Sequence, residues 1–281
     1  MQIVSSPRQM QRLSEAARLE GARVALVPTM GFLHEGHLSL MREGRRRATL
    51  LVASVFVNPI QFGPNEDFAS YPCDFERDCE LMRAVAVDVV FAPEAAAIYP
   101  ADFQTWVEVT GLTQGLCGRS RPGHFRGVTT VVAKLFNIVK PHLALFGEKD
   151  FQQLCAIRRM VHDLNFDIEV VGMPIVREPD GLAISSRNAY LSPAERRQAL
   201  SLSRALGAAR DRFAAGGATP QELVRIAAGH LAQAPDIRVD YVEVVDAETL
   251  EPAAALDRPV LLALAARVGR TRLIDNIVLG R

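Results

Sequence analysis

The sequence predicts an α/β fold in which helices cover both faces of a parallel sheet, with a smaller α+β domain at the C-terminal end. Through residues 1–175, short apolar runs rich in β-branched residues alternate with stretches of helical periodicity. That alternation is typical of a parallel sheet. After the turn signal Glu178-Pro-Asp-Gly181, two helical stretches come first and three strand-like runs follow. We therefore predict one domain over residues 1–175 and a second over residues 176–281.

The elements of the first domain follow from apolar runs and from periodicity. The runs predict strands at Val24–Val27, Leu50–Val57, Val87–Phe91, Leu143–Phe146 and Ile168–Val171. Periodicity predicts helices at Asp74–Val85, Val128–Val139 and Phe151–Leu164. Ligands of parallel sheets bind beyond the carboxyl ends of the strands, so polar residues that follow these strands are candidate site residues.

The second domain reads as helices followed by strands. Helices are predicted at Pro193–Phe213 and Pro220–Ala232, on either side of a Gly216-Gly217 break. Strands are predicted at Val239–Val245, Val260–Ala265 and Thr271–Val278. This order of elements favours an α+β layer.

Composition narrows the class of protein. The 281 residues include 32 basic and 32 acidic side chains, which gives no global attraction to nucleic acid or to a membrane surface. No apolar run approaches the ~20 residues of a membrane span, and the N-terminal residues lack the apolar core of a signal peptide. The four cysteines form no Cys-x-x-Cys pair, which is typical of reduced thiols. We expect a cytoplasmic protein without nucleic-acid or membrane partners.

The first candidate site lies where the strand Val24–Val27 leads into a helix. His34 and His37 flank Gly36 at this junction. Free N–H groups at a helix N-terminus bind phosphate, and two imidazoles add donors. The pair could also be exposed surface residues or metal ligands, although zinc peptidases use a longer His-Glu-x-x-His spacing. A P-loop is excluded because His37 and Leu38 stand where Lys and Ser or Thr are needed.

Two further segments follow predicted strands. Asn58 and Gln61 place amides at a strand exit, which suits a polar or carboxylate-bearing ligand, although an Asn-Pro turn would also account for Asn58. Asp150 is placed to cap the next helix. Lys149 then lies beside a helix N-terminus, where its charge is unfavourable unless an anion is bound. A solvated lysine is the alternative.

Two loop segments are rich in anion-binding side chains. Ser185, Ser186 and Arg187 combine two hydroxyls with a guanidinium, which together form a compact receptor for oxyanions. A second loop contains four basic or imidazole side chains that could bind an anion or be solvated: Arg119, Arg121, His124 and Arg126.

Taken together, these segments resemble the pantothenate synthetase family of the nucleotidyltransferase superfamily. Five ordered phrases support the resemblance, at Pro28–His37, Phe56–Gly63, Arg121–Val128, Phe146–Gln153 and Ser185–Asn188. A weaker similarity covers Thr271–Ile277. Ile184 departs from the family pattern, which often has Met before Ser-Ser-Arg, but it keeps apolar bulk.

The resemblance implies a Rossmann-like sheet and an ATP-dependent condensation of pantoate with β-alanine through pantoyl adenylate, with release of AMP and pyrophosphate. It also implies that Mg²⁺ bridges the ATP phosphates without a protein metal site, and that the protein is a homodimer. The implied catalytic residues are His34, His37 and Lys149. The implied ATP-binding residues are Met30, Gly31, Phe32, Leu33, His34, Glu35, Gly36, His37, Gly147, Glu148, Lys149, Asp150, Val176, Ile184, Ser185, Ser186 and Arg187. The implied substrate-binding residues are Asn58, Gln61 and Gln153.

Three other functions stay open at this level. One is a different nucleotidyltransferase of the same superfamily, which Gln61 and Gln153 disfavour because a phosphorylated substrate would favour further cations. The second is a metal-dependent hydrolase that uses His34 and His37, and stoichiometric zinc would support it. The third is a nucleotide sensor that binds ATP and releases no pyrophosphate.

Overall fold

Across the described residues, 1–64 and 66–280, six parallel strands form one sheet and three antiparallel strands form another in the computed structural model. The chain divides into two compact units. The first unit comprises residues 1–110, 121–148 and 153–174. The second unit begins its long segment at Ile175, next to the predicted division, and adds residues 111–120 and 149–152.

The sheet of the first unit has the strand order β1-β4-β3-β2-β5-β6. Its strands are β1 (Gln2–Val4), β2 (Val24–Thr29), β3 (Leu50–Val55), β4 (Val89–Phe91), β5 (Leu143–Gly147) and β6 (Glu169–Met173). The helices along this part of the chain are α1 (Pro7–Leu19), α2 (Glu35–Arg47), α3 (Phe75–Ala84), α4 (Ala95–Ile98), α5 (Leu116–Ser120), α6 (His124–Val139) and α7 (Phe151–Asp163). Of these, α5 and the first two residues of α7 belong to the second unit.

Alternation along β2 shows why the sheet is covered on both faces. Val24 and Leu26 are fully buried in a core that includes side chains of α1, α6 and α7. Ala25 and Val27 are fully buried in a separate core with side chains of α2 and α3. Successive side chains of a strand point to opposite faces, so both faces of this sheet are covered by helices, as predicted.

The sheet reverses its direction of growth at β2. From β2 the chain passes through α2 to β3 on one side, whereas β5 pairs with the other side of β2 through Ala25 opposite Leu143 and Leu26 opposite Ala144. In open parallel sheets, the crevice beyond the carboxyl ends of two such strands is the usual ligand site. That crevice lies beyond Thr29 of β2 and Gly147 of β5.

The five predicted strands and three predicted helices of this unit are all present, with shifted ends. β3 ends at Val55 rather than Val57, because the chain turns into a short 3-10 helix at Pro59–Gln61. Asp74 caps α3 instead of starting it, since its carboxylate accepts the Arg77 N–H at 3.2 Å. The sequence analysis did not identify the edge strand β1 or the helix α1.

The second unit contains α8 (Pro193–Ala214), α9 (Pro220–Leu231) and the antiparallel strands β7 (Ile237–Asp246), β8 (Val260–Val268) and β9 (Thr271–Leu279). Both helices start at the predicted proline, and Ser192 and Thr219 cap them through their side-chain oxygens. Apolar side chains of the two helices and of the strands form a single core. The predicted α+β layer is therefore present.

In the part of the chain that the structure describes, none of the helices combines the length and the apolar character that a membrane crossing requires.

Candidate active site

A buried carboxylate shapes the loop between β2 and α2. Gly31 and Phe32 both adopt left-handed backbone conformations, with φ of +84° and +50°. The Phe32 and Leu33 N–H groups each donate to a separate oxygen of Asp78 at 2.7 Å. Burial raises the pKa of Asp78, and these two hydrogen bonds oppose part of that rise. The loop that leads to His34 is therefore held by main-chain contacts.

Sequence reasoning did not select Asp78 as a site residue. It lies on the apolar face of α3 beside Cys79 and Met82, and only 1% of it is exposed. A carboxylate on the buried face of an amphipathic helix indicates a specific partner, because a buried unpaired charge is costly. That pattern was the available signal.

His34 and His37 lie together at the start of α2. Their rings stack with centroids 4.0 Å apart, and the His34 N–H donates to Nδ1 of His37 at 3.3 Å. Because Nδ1 of His37 accepts this bond, neutral His37 bears its hydrogen on Nε2. A Cβ at Gly36 would lie 3.0 Å from the His34 ring, so a larger residue here would force that ring to shift by a few tenths of an ångström.

Asn58, which is buried, and Gln61, which is half-buried, form a hydrogen-bonded amide network. Nδ2 of Asn58 donates to Oε1 of Gln61 at 3.0 Å and to the Gly127 carbonyl at 3.1 Å, and the Tyr99 hydroxyl donates to Oδ1 of Asn58 at 2.8 Å. Nε2 of Gln61 lies 3.1 Å from Sδ of Met30. Only 1% of Asn58 is exposed, so its amide serves other residues of the protein.

The main chain of Gln61 is held by a second network. Nε2 of His124 accepts from Arg121 at 2.9 Å, which places the hydrogen of neutral His124 on Nδ1, 2.9 Å from the Gln61 carbonyl. Arg121 also donates two bonds of 2.6 Å to Glu66. Burial alone would raise the pKa of Glu66, but the hydrogen bonds and charge of Arg121, together with the Gly63 N–H and His124, outweigh it and lower that pKa to about 2.

The other two basic residues of the Arg119–Arg126 segment have different neighbours. The Arg126 guanidinium lies over the Trp106 ring, 4.6 Å from its centroid. Arg119 forms an ion pair with Glu243 in the second unit. The basic side chains of this segment therefore contact different protein partners rather than one shared group.

A cavity of about 290 Å³ adjoins the β2–α2 loop. Met30, Gly31 and Asp78 line one part of it, and Asp74 and Phe75 from the start of α3 line another. Met30 thus contacts both this cavity and the amide of Gln61.

Two adjacent glutamines on α7 differ in their surroundings. Gln152 is buried in the second unit, where it donates to the Leu112 and Gly115 carbonyls and accepts from the Cys117 N–H. Gln153 is only partly buried. Gln152 is therefore a structural residue, whereas Gln153 keeps a partly accessible amide.

The end of β5 offers open backbone. A Cβ added at Gly147 would meet no described atom within 4 Å beyond its own chain neighbours. Glycine at an open strand end is typical of a place where a ligand approaches the backbone closely. Residues Glu148–Asp150 then form one 3-10 turn that leads directly into α7.

Within the second unit, β9 holds Lys149. Nδ2 of Asn276 donates to the Lys149 carbonyl at 2.9 Å, and Nζ of Lys149 lies 3.5 Å from the Asp150 carboxylate. That carboxylate offsets part of the unfavourable charge expected for a cation beside a helix N-terminus.

The adjacent residue of β9 holds the loop that precedes Ser185. Asp275, which is 2% exposed, accepts two hydrogen bonds from Arg177 at 2.7 and 2.9 Å. The predicted turn is confirmed by the Gly181 N–H, which donates to the Glu178 carbonyl at 2.8 Å. The Ile184 N–H donates to the Val176 carbonyl at 3.0 Å, so the two ends of the loop are paired.

The Ser-Ser-Arg segment begins a 3-10 helix at Ser186–Tyr190. Oγ of Ser185 accepts the Arg187 N–H at 3.3 Å and caps this helix. Ser186 is 7% exposed, whereas Ser185 and Arg187 are partly buried. β9 contacts the same 3-10 helix, so one strand supports both this segment and Lys149.

The structure thus groups the predicted site residues by unit. The first unit contains Asn58, Gln61, Gln153 and the predicted residues from Met30 to His37, together with Gly147 and Glu148. The second contains Lys149, Asp150, Val176 and the predicted residues from Ile184 to Arg187. Among the described residues, no group of three His, Cys, Asp or Glu side chains is arranged to hold a metal ion.

Comparison with known proteins gives a consistent set of similarities. The family model described as pantoate-β-alanine ligase matches residues 2–278. A curated relative, the pantothenate synthetase of Geobacter sulfurreducens, is 60% identical over 280 residues, which cover 100% of this chain and 99% of the relative.

Two solved structures are similar along nearly the whole chain. Pantothenate synthetase from Thermus thermophilus matches with a TM-score of 0.93 and 48% identity, covering 99% of both chains. Pantoate-β-alanine ligase from Francisella tularensis, complexed with β-γ ATP and β-alanine, matches with a TM-score of 0.82 and 31% identity, covering 99% of this chain and 97% of that one.

Proposed function

The chain belongs to the pantoate-β-alanine ligase family, and from that premise we propose which of its residues serve each part of the reaction. It is an ATP-dependent ligase that condenses pantoate with β-alanine to give pantothenate. The assignment of residues rests on one observation about the loop after β2. Asp78 holds the backbone of this loop, which leads to the two histidines, and Met30 of the same loop contacts the Gln61 amide. All of these residues belong to the first unit.

We propose that the reaction takes two steps. The pantoate carboxylate attacks the α-phosphorus of ATP, the bond to the bridging oxygen breaks, and pyrophosphate leaves with that electron pair. The amine of β-alanine then attacks the acyl carbon of pantoyl adenylate, loses a proton and expels AMP. The first step builds charge on phosphate oxygens, so it needs positioned donors rather than a covalent nucleophile.

His34 and His37 are proposed as donors to the ATP phosphates. The His34 N–H fixes His37 with its hydrogen on Nε2, and a neutral donor of this kind is suited to a developing phosphate charge. The N-terminal end of α2 would add the favourable field that a helix dipole offers to an anion.

Gln61 and Gln153 are proposed as pantoate ligands. Gln61 directs its amide nitrogen at Met30, beside the cavity, and Gln153 keeps a partly accessible amide on α7. Asn58 was predicted to bind substrate directly. Because it is buried and donates both to Gln61 and to Gly127, we propose instead that it positions Gln61.

Lys149, Ser185, Ser186 and Arg187 are proposed to hold the phosphates from the second unit. Their common support on β9 favours a joint role, since it fixes Lys149 and the 3-10 helix within the same unit. Backbone and apolar contacts to the nucleotide are proposed for the remaining predicted residues: Met30, Gly31, Phe32, Leu33, Glu35, Gly36, Gly147, Glu148, Asp150, Val176 and Ile184.

Two further parts of the proposal, the magnesium ion and the assembly, rest on the family resemblance. Mg²⁺ is proposed to enter as the MgATP substrate, since Mg²⁺ is commonly bound through the phosphates of a nucleotide substrate. A homodimer is proposed as the assembly, which sedimentation equilibrium would test. A cytoplasmic location is proposed as well.

Exchange of labelled pyrophosphate into ATP tests the proposed two-step reaction. We expect exchange with ATP, Mg²⁺ and pantoate, without β-alanine, because the adenylate forms before the amine is needed. Exchange that strictly requires β-alanine would exclude a free-standing adenylate step. ATP binding without any pyrophosphate release would instead support a nucleotide sensor.

A further inference from the structure

We propose that Tyr99 is a positioning residue for the pantoate site: through Asn58, its hydroxyl helps to hold the Gln61 amide with its NH₂ group toward the ligand. This inference rests on the proposed role of Gln61 in binding pantoate. Tyr99 lies outside every segment that the sequence analysis selected.

The orientation of the Asn58 amide follows from its two fixed neighbours. The Gly127 carbonyl only accepts hydrogen bonds, so the Asn58 atom 3.1 Å away must be the NH₂ group. Oδ1 is then the atom that accepts from the Tyr99 hydroxyl at 2.8 Å. The reversed amide would set two acceptors against each other at Gly127. The Gly127 carbonyl therefore selects this orientation of Asn58, and the Tyr99 hydroxyl stabilises it by donating to Oδ1.

That orientation determines the polarity of Gln61. The second hydrogen on Nδ2 of Asn58 points to Gln61, and the Gln61 atom at 3.0 Å is consequently the oxygen, Oε1. The NH₂ group of Gln61 then faces Sδ of Met30 at 3.1 Å. A thioether is a weak acceptor, so a carboxylate or hydroxyl oxygen of a ligand is a better partner for this NH₂ group. Gln61 is thereby presented to the site as a donor.

Packing keeps the Tyr99 hydroxyl in place. The ring meets Phe103 edge-on at 5.1 Å between centroids and Phe56 at 6.2 Å, and the Lys134 ammonium lies 5.7 Å from its centroid. Burial raises the pKa of Tyr99, which keeps the phenol protonated as a donor. On the other side of the network, α6 packs directly on the 3-10 turn, because a Cβ at Gly127 would come within 2.5 Å of the Ile60 carbonyl.

The first test compares Tyr99→Phe with Phe103→Leu in steady-state kinetics. Tyr99→Phe removes only the hydroxyl, and we expect the KM for pantoate to rise about threefold to tenfold while the KM for ATP stays within about twofold. Phe103→Leu disturbs the ring packing but keeps the hydroxyl, so it should lower the Tm and raise the KM for pantoate less than Tyr99→Phe does. Equal rises in both KM values for Tyr99→Phe would overturn the role.

A double-mutant cycle tests whether Tyr99 acts through Gln61. Gln61→Ala alone should raise the KM for pantoate, and adding Tyr99→Phe should raise it no further. Multiplicative effects would show that Tyr99 acts elsewhere and would overturn the inference while leaving Gln61 as a ligand. If Gln61→Ala leaves the KM for pantoate unchanged, the proposed pantoate site is wrong, and the proposed role of Tyr99 is then wrong as well.

A second variant keeps the inference testable if Tyr99→Phe does not fold. Asn58→Asp retains an acceptor for the Tyr99 hydroxyl but has no NH₂ group for Gln61 or Gly127. We expect a rise in the KM for pantoate at least as large as that of Tyr99→Phe, with a smaller change in the KM for ATP. An unchanged KM for pantoate would overturn the proposal that Asn58 connects Tyr99 to Gln61.

Discussion

The two units use buried aspartates differently to fix the segments that are proposed to bind phosphate. Asp78 of the first unit accepts two main-chain N–H groups of the loop before His34. Asp275 of the second unit contacts the loop before Ser185 through a side chain, the Arg177 guanidinium, and its main-chain donor is Asn276 of its own strand. Main-chain contacts fix the path of the chain itself, whereas a side-chain pair anchors a loop at one point. We therefore expect the histidine segment to be the more rigid of the two.

The largest effect is expected at the histidines. His37→Ala should slow adenylate formation by roughly 10²–10³-fold, because it removes one donor to charge that develops in the transition state. The free energy of unfolding should fall by no more than about 1 kcal/mol, since His37 lies on the first turn of α2 and its side chain accepts a single main-chain N–H there. Pyrophosphate exchange and urea unfolding measure the two quantities. Near-normal exchange would remove His37 from the catalytic residues.

The aspartates allow a direct test of the comparison. Asp78→Ala leaves the Phe32 and Leu33 N–H groups without their acceptor, and we expect it to lower the free energy of unfolding by about 2–4 kcal/mol. Asp275→Ala should cost less, about 1–2 kcal/mol, because the Arg177 side chain is 31% exposed and can be hydrated. Urea unfolding at pH 7 measures both. A larger loss for Asp275→Ala would reverse the proposed order of rigidity.

Each unit also contains a glutamate–arginine ion pair, and the two pairs allow a second comparison of stability between the units. Glu66→Gln should lower the free energy of unfolding at pH 7 by about 1–3 kcal/mol, because Arg121 holds the pKa of Glu66 at about 2 against an ordinary value of 4.5. A lowered pKa stabilises the fold fully above pH 4.5, and this contribution is lost as the pH falls toward 2. The difference from the unsubstituted protein should therefore shrink below pH 4.5.

Glu222→Gln is the matched control in the second unit. Glu222 pairs with Arg212 at 2.8 and 3.0 Å, and the hydrogen bond from Arg212 lowers its pKa. The side chains of this pair are 30% and 25% exposed, against 15% and 23% for Arg121 and Glu66, so its loss should matter less than that of the Glu66 pair. Unfolding curves at pH 7, 5 and 3.5 separate the two cases. A pH-independent loss in Glu66→Gln would mean that side-chain packing, rather than the ion pair, is responsible.

The sequence predicted the sheet, its covering helices and the segments at the strand ends, because apolar period and turn residues are local signals. Partners remote in sequence were not predictable in the same way. Nothing local distinguishes Gln152 from Gln153, yet contacts with residues 112–117 make the first structural. From the sequence, Asn58 was likewise predicted to bind substrate, whereas in the structure its amide forms hydrogen bonds with Tyr99 and Gly127. Edge strand β1 was missed because Gln2–Val4 contains only two apolar residues, whereas the equally short β4 lies within the longer run Val87–Phe91.

The smallest effect on stability is expected at Lys149 of the second unit. The same substitution should have a large effect on the use of ATP. Lys149→Met keeps the side-chain length and the carbonyl that Asn276 contacts, and it removes only the charge. Because the Lys149–Asp150 pair is 3.5 Å long and the Asp150 side chain is 49% exposed, its loss should change the free energy of unfolding by less than about 0.5 kcal/mol. Nevertheless, the KM for ATP should rise or the rate of pyrophosphate exchange should fall by about tenfold or more, because the phosphates would lose a cation.

Arg210→Met on α8 is the matched control, as it removes a charge paired with Asp211 elsewhere in the same unit and should leave exchange unchanged. A lower Tm with normal turnover in Lys149→Met would assign this lysine to the fold instead of to ATP.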